Sequence, residues 1–337
     1  MRDEDETSRE LLEVHHLTTA FRAEDGTLLR AVDDVSFTIP RGKCLGIVGE
    51  SGCGKSVTAM SLVRLLPKPA GIIEGGEIYF QGKDVLKMSP RRLRELRGGR
   101  IGVIFQEPHH ALNPVHTIGD QIAETLMLHR GLSADAAWVE AVNLLNYVRI
   151  PSPEQRATDY PHALSGGMRQ RVMIAIALAC RPELIIADEP TTALDVTVQQ
   201  QILKLLRDLR RDLNAASLLI THDLGVIAQN CDSVAVMYAG RIVEQAEVKE
   251  LFANPCHAYT RALLAAMPRR DYPRKTLLPT IPGHVPAIRD YVEGCRFCQR
   301  MGYDPAFLNE RPPMREISPG HWVEACPRCT GAKKVGS

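Results

Sequence analysis

The chain has 337 residues, 45% of them hydrophobic, enough to bury a large core and leave material beyond one compact domain. Basic and acidic residues nearly cancel, 41 against 40, so bulk charge gives no argument for nucleic-acid binding. No apolar run approaches the roughly 18–20 residues of a membrane-spanning helix, and the acidic start Met1–Glu6 lacks the basic and apolar regions of a secretory signal.

Leu11–Phe21, Val32–Ile39 (Val35, Phe37 and Ile39 alternate) and Gly76–Phe80 predict strands. Gly42–Val48 is a short apolar run suited to a buried strand. It leads into Gly49-Glu50-Ser51-Gly52-Cys53-Gly54-Lys55-Ser56, a full GxxxxGKS phosphate loop. Its glycines let backbone N–H groups approach phosphate oxygens, and Lys55–Leu66 predicts a helix whose N-terminus favours negative charge. In this chemistry Lys55 reaches the β- and γ-phosphates of a nucleoside triphosphate and the Ser56 hydroxyl ligates Mg²⁺. Cys53 fills a variable position, and Val57 closes the nucleotide-binding segment.

Arg100–Phe105 predicts a strand ending at Gln106, and helical patterns follow over Ile118–Leu128 and Ala134–Tyr147. Leu164–Arg171 reads LSGGMRQR. Ser165 is a good N-cap for a helix over Met168–Ala179, so Ser165, Gly166 and Gly167 offer a hydroxyl and N–H groups at a positive helix end, an anion site. Glu183–Ala187 is an apolar strand ending in Asp188 and Glu189, with Asp188 placed to hold the Mg²⁺ shell. The core continues through Val196–Leu213, Ser217–His222 and Val234–Val243, and the alternation of helix and strand marks an α/β architecture.

Composition changes after Met267. Pro268, Pro273, Pro279, Pro282 and Pro286 disfavour helix and sheet alike and predict an extended connector. Beyond it, Cys295-Arg296-Phe297-Cys298 and Cys326-Pro327-Arg328-Cys329 form two CxxC pairs. Four thiolates can complete a tetrahedral zinc shell or hold a cluster, and without an export signal metal is expected before disulfides. Cys44, Cys53, Cys180, Cys231 and Cys256 are scattered and read as small packing residues.

The phosphate loop followed by LSGGMRQR resembles the ATP-binding cassette (ABC) subunits of transporters, most closely those of bacterial oligopeptide and dipeptide importers. Two further stretches carry the narrower resemblance. Ile281-Pro282-Gly283-His284-Val285-Pro286 is similar to that subfamily's IPG-x-VP element. Asn254–Leu264 is similar to its NP-x-HPYT-x-x-LL stretch, with Ala258 in place of Pro. The LSGGMRQR helix resembles the D-type subunit, which implies a heterodimer with an F-type ATPase.

The resemblance implies a P-loop cassette with an antiparallel β subdomain, a helical subdomain over about 107–163, and a Cys-rich metal lobe. The domains expected are 1–267 and 268–337. It also implies roles: Glu189 as general base, Gln106 as the Q-loop residue sensing Mg²⁺ and the membrane partner, and Asp195 crossing the dimer interface. His222 would face the γ-phosphate, Phe21 would stack on adenine, and Ser165–Gly167 would bind ATP held by the opposite subunit. Two permeases and an extracytoplasmic binding protein complete the assembly, placing this chain peripherally on the cytoplasmic face of a bacterial inner membrane.

Family members carry a cysteine-rich tail described as a [4Fe–4S] site, which is the expectation here, with zinc as the alternative; the CxxC spacing departs from their usual tail. A structural role for the metal implies that Cys326→Ser loosens the tail but spares ATP binding. A nickel or small-solute importer shares the pattern and is the alternative substrate class. A soluble ABC protein acting on nucleic acid would need a coiled-coil insertion or a second cassette, and neither is present. LSGGMRQR argues against a P-loop kinase or GTPase outside the ABC class.

Overall fold

The computed structural model describes residues 10–192, 194–268, 277, 279–303 and 305–330. The acidic start, Ala193 and Pro273 lie outside the described residues. The chain forms two compact units, each assembled from several segments: residues up to 12, 39–44 and 80–220 in the first, and 13–38, 45–79 and those from 221 in the second.

In the first unit the strands Ile101–Ile104, Leu184–Asp188 and Ala216–Thr221 run parallel in that order, with Ile101 opposite Leu184 and Leu184 opposite Ala216. Both outer strands are apolar, and Leu184–Asp188 is buried along its whole length, as parallel strands covered on two faces are. The helix Gly166–Leu178 packs closely on this sheet. A Cβ at Gly102 would lie 2.2 Å from the Ala177 carbonyl oxygen, so only glycine permits that approach. The helices Ile118–Arg130 and Ala134–Tyr147 form as expected, capped by Thr117 and Ser133, and they bury Ile122, Leu126, Ala141 and Leu145.

Most of Glu10–Arg22, Leu28–Pro40 and Gly71–Phe80 belongs to the second unit, with Glu10–Arg22 central. The short connection from Arg22 to Leu28 makes the first two antiparallel. The second unit also holds a sheet in the order Met314–Ser318, His321–Glu324, Arg241–Glu247, Ser233–Tyr238 and Cys44–Val48. Only its last pairing is parallel, Leu45 lying opposite Ser233. The apolar run Val234–Val243 is therefore a hairpin, turned by Ala239 and Gly240 in the left-handed region (φ 46° and 85°). The helix Lys55–Leu62 stops short of the predicted Leu66, and Arg64 (φ 53°) turns the chain away.

The described residues of the proline-rich connector, 277 and 279–286, carry no helix or strand, as expected, and regular structure returns beyond them. His321–Glu324 pairs with Arg241–Glu247, Glu244 opposite Val323, so the C-terminal region extends the second unit's own sheet. Among the described residues no helix is long and apolar enough to cross a membrane.

Candidate functional site

The phosphate loop follows a strand buried at every position, Cys44–Val48. A Cβ at Gly49 would lie 2.1 Å from the Met237 carbonyl oxygen and one at Gly54 2.5 Å from that of Ala31. Gly54 is also left-handed at φ 103°, so both positions demand glycine. The helix Lys55–Leu62 begins there without a side-chain cap, the arrangement that suits an anion at a helix N-terminus. Lys55 is 4% exposed, and its Nζ folds over the loop to donate to the carbonyls of Gly49 (2.8 Å) and Glu50 (3.0 Å). Cys53 is buried, and burial pushes its thiol above the ordinary range, consistent with a packing residue. Phe21 is half-buried near the end of its strand.

In the first unit, Asp188 ends its strand buried, and Glu189 follows at φ 45°. That left-handed conformation is uncommon for glutamate, and strained backbone of this kind concentrates at functional positions. The Glu189 N–H donates to the Ile220 carbonyl at 2.9 Å. Glu189 Oε2 accepts from Thr192 Oγ1 at 2.8 Å and from Gln106 Nε2 at 3.3 Å. The Q-loop and the carboxylate pair thus meet at one oxygen. The role of Thr192 was not singled out in the sequence, although its place three residues on from Glu189 is a turn spacing that brings hydroxyl to carboxylate.

Ser165 caps the helix Gly166–Leu178, its Oγ accepting from the Met168 N–H. A Cβ at Gly167 would lie 2.8 Å from Val198 Cγ1, so the signature packs tightly on the helix Val196–Leu213. Asp195 caps that second helix by accepting from the Val198 N–H at 3.0 Å. His222, in the second unit, is exposed just before the helix Leu224–Asn230.

The two CxxC pairs converge. Cys295, Cys298, Cys326 and Cys329 are all fully buried. The Cys298 Sγ lies 3.5 Å from those of Cys326 and Cys329, and the Cys295 Sγ lies 3.6 Å from that of Cys329. Four thiolates at a Zn–S distance of about 2.3 Å define a tetrahedron with edges of about 3.8 Å, so the cage fits one such ion. A four-iron cube would spread the thiolates much further apart. Hydrogen bonds with Cys295, then Cys298 and Cys329, hold the Cys326 thiol well below its ordinary range. Beside Cys295 lie His257, pushed down to about 4 by burial, and Glu324, pushed up to about 7 by burial.

A second buried network ties down the backbone of the Asn254–Leu264 stretch. Glu244 accepts from the N–H groups of Cys256 (2.6 Å) and His257 (2.9 Å), and Glu244 Oε1 lies 2.8 Å from His321 Nε2. This carboxylate joins that stretch to the tail strand, a link that sequence reading missed.

A phosphate loop in one unit, and in the other a parallel strand ending in two acids together with a glycine-rich signature, are the marks of an ATP-binding cassette. Residues 32–192 match the family described as ABC transporter, and residues 243–303 match that described as oligopeptide/dipeptide transporter, C-terminal region. The chain is 53% identical to a probable peptide ABC transporter ATP-binding protein, y4tR, of Sinorhizobium fredii, over 94% of each chain. It is 48% identical to the oligopeptide transport ATP-binding protein OppD of Salmonella typhimurium, covering 94% of this chain and 93% of that one. A solved dimeric ATP-binding cassette bound to ADP and Pi matches 70% of this chain and 98% of its own at a TM-score of 0.63 and 26% identity. The cbiO1 subunit of Clostridium perfringens matches 73% and 92% at a TM-score of 0.61 and 30% identity. This chain belongs to the ATP-binding subunits of the peptide ABC transporter family.

Proposed function

We propose that this chain works as one half of a paired ATPase that powers peptide import. The observation carrying this reading is the presence, on one chain, of the phosphate loop, the LSGGMRQR signature and a C-terminal region of the oligopeptide/dipeptide type. ATP hydrolysis by this subunit drives import through membrane permeases fed by a binding protein. The relatives' names favour peptides over nickel as the cargo.

The roles follow residue by residue. Lys55 and the backbone of Gly49–Val57, with Glu50, Ser51, Gly52, Cys53 and Gly54 between, bind the phosphates, and Phe21 stacks on adenine. Ser56, Gln106 and Asp188 would hold Mg²⁺, which supplies charge neutralisation at the β- and γ-phosphates; a buried carboxylate such as Asp188 suits a hard cation. Glu189 polarises the attacking water, held in place by Gln106 and Thr192. His222 faces the γ-phosphate. Ser165, Gly166 and Gly167 bind ATP held by the opposite subunit, and Asp195 crosses that interface. The partner ATPase is a distinct F-type chain, and the pair sits peripherally on the cytoplasmic face of the inner membrane.

Residues 1–267 form the cassette and 268–337 the tail, with the helical subdomain at 107–163. That subdomain carries an open groove of about 810 Å³ whose lining includes Asn113, His116, Asp120, Gln121, Glu124 and Trp138. The groove is proposed to receive the permease. The four-cysteine cage holds one zinc ion, on its thiol spacing; a [4Fe–4S] cluster is the other outcome of metal analysis. The reading is tested in the reconstituted importer. Lys55→Ala should weaken ATP binding itself, and absent ATP turnover in the unmutated complex supplied with peptide would overturn it.

A further inference from the structure

The cysteine lobe grips the phosphate loop at a single residue. Three groups hold Glu50. Its N–H donates to the Tyr259 hydroxyl at 3.0 Å, its carbonyl accepts from Lys55 Nζ at 3.0 Å, and its carboxylate receives Arg300 Nη1 at 2.6 Å and Nη2 at 3.3 Å. The Arg300 side chain is only 3% exposed, and it also donates to the carbonyls of Ile281, Pro282 and Gly283. A guanidinium fixed on so many sides cannot follow a moving loop, so it fixes the loop instead.

Both grips lead back to the cysteine cage. Arg300 lies two residues beyond Cys298 on the helix Arg296–Met301. Tyr259 packs against Tyr238 and Phe297, with ring centroids 4.5 Å and 5.6 Å away, and Phe297 stands inside the first CxxC pair. The backbone carbonyls of the IPG element seat the arginine that reaches Glu50.

We infer that Arg300 is a positioning residue for nucleotide binding: through Glu50 it fixes the carbonyls that orient Lys55, and so links the cysteine lobe to the grip on ATP phosphates. The inference rests on the nucleotide-binding reading above and adds a function for the tail. A purely structural tail would leave ATP affinity untouched, as the sequence alone led us to expect; the Glu50 contacts argue for the opposite.

The test uses the full-length, metal-replete chain for ATP titration and the assembled transporter for kinetics. Arg300→Ala should weaken ATP binding about tenfold, the usual scale for losing a charge-assisted hydrogen bond. It should raise KM for ATP with kcat retained at saturation, because the lost contact orients binding rather than the reacting water. Arg300→Lys should recover part of the affinity. Glu50→Gln, altered at the partly exposed end of the pair, should reproduce the loss and carries the test if Arg300→Ala fails to fold. Unchanged affinity and KM in either folded, metal-replete variant would overturn the inference, as would a lower kcat with KM unmoved. Wild-type protein that binds no ATP would overturn the nucleotide reading, and this inference with it.

Discussion

Gln106 and Glu189 meet through a 3.3 Å hydrogen bond from Nε2 to Oε2. The contact joins a residue two positions past the strand Ile101–Ile104 to the one directly after Leu184–Asp188, and these strands are neighbours in register. A displacement of Gln106 would therefore be felt at the Glu189 carboxylate directly, the residue proposed as general base. Thr192 donates to the same oxygen at 2.8 Å, a second hold on the Glu189 side chain.

Glu189→Gln should keep ATP binding and lower turnover by about 10²–10⁴-fold, the usual loss for a general base. Steady-state ATPase assays on the assembled transporter check it. Unchanged turnover would remove Glu189 from the base role.

The groove of the helical part is rimmed by exposed Asp120, Glu124 and Asp135. A permease segment that docks there must complement this acidity. Asp120→Arg or Glu124→Arg should lower peptide uptake while ATP turnover persists. Uptake and ATPase measured on the same proteoliposomes separate the two, and coupled wild-type ratios in both variants would move the docking site elsewhere.

The Glu244–His321 pair gives the tail a pH dependence. Burial alone would lower the His321 pKa, but the Glu244 hydrogen bond and charge, then those of Glu250, outweigh it and raise it above 6.5. For Glu244, burial alone would raise the pKa, but His321 and the N–H groups of Cys256 and His257 hold it below 4.5. The stability from His321 is fully present below 6.5 and is lost as pH rises through its raised value. That from Glu244 is fully present above 4.5 and is lost as pH falls through its lowered value. The tail should therefore be firmest between these two limits. The protection of the His321–Glu324 amides, taken relative to their intrinsic base-catalysed exchange, should fall from pH 6 towards 9, and His321→Gln should flatten that fall. An unchanged slope in His321→Gln would dismiss the pair as its source.

The sequence made the phosphate loop, the acidic strand end and the signature legible because each is a contiguous segment whose chemistry depends on local backbone. The four cysteines were legible because metal spacing is local within each pair. Arg300 was not, since nothing near it in the chain announces a partner 250 residues away. Glu244 was hidden similarly: an acid in an apolar strand reads as a surface position until its backbone and histidine partners are seen. The tail strands went unread because Met314–Ser318 and His321–Glu324 span only five and four residues, too short to carry a periodic pattern.

The cysteine cage predicts one zinc ion per chain. The four buried thiols are 3.5–3.6 Å apart where their contacts are closest, near the edge length set by a single ion. The second cysteine of each pair lies in a short helix, Arg296–Met301 or Pro327–Thr330, and all four belong to a buried apolar cluster with Tyr238, Val243 and Tyr259, so metal would add to the stability that packing gives. Cys326→Ser should abolish metal binding and expose residues 295–330 to proteolysis. Because Cys298 and Arg300 share a helix, it should also weaken ATP binding in the direction of Arg300→Ala. Anaerobic purification with elemental analysis and absorption spectroscopy decides the metal. Colourless protein with stoichiometric zinc is expected, and a brown protein with iron and sulfide would replace the single ion by a cluster. Metal-free protein whose four thiols alkylate freely under native conditions would refute both.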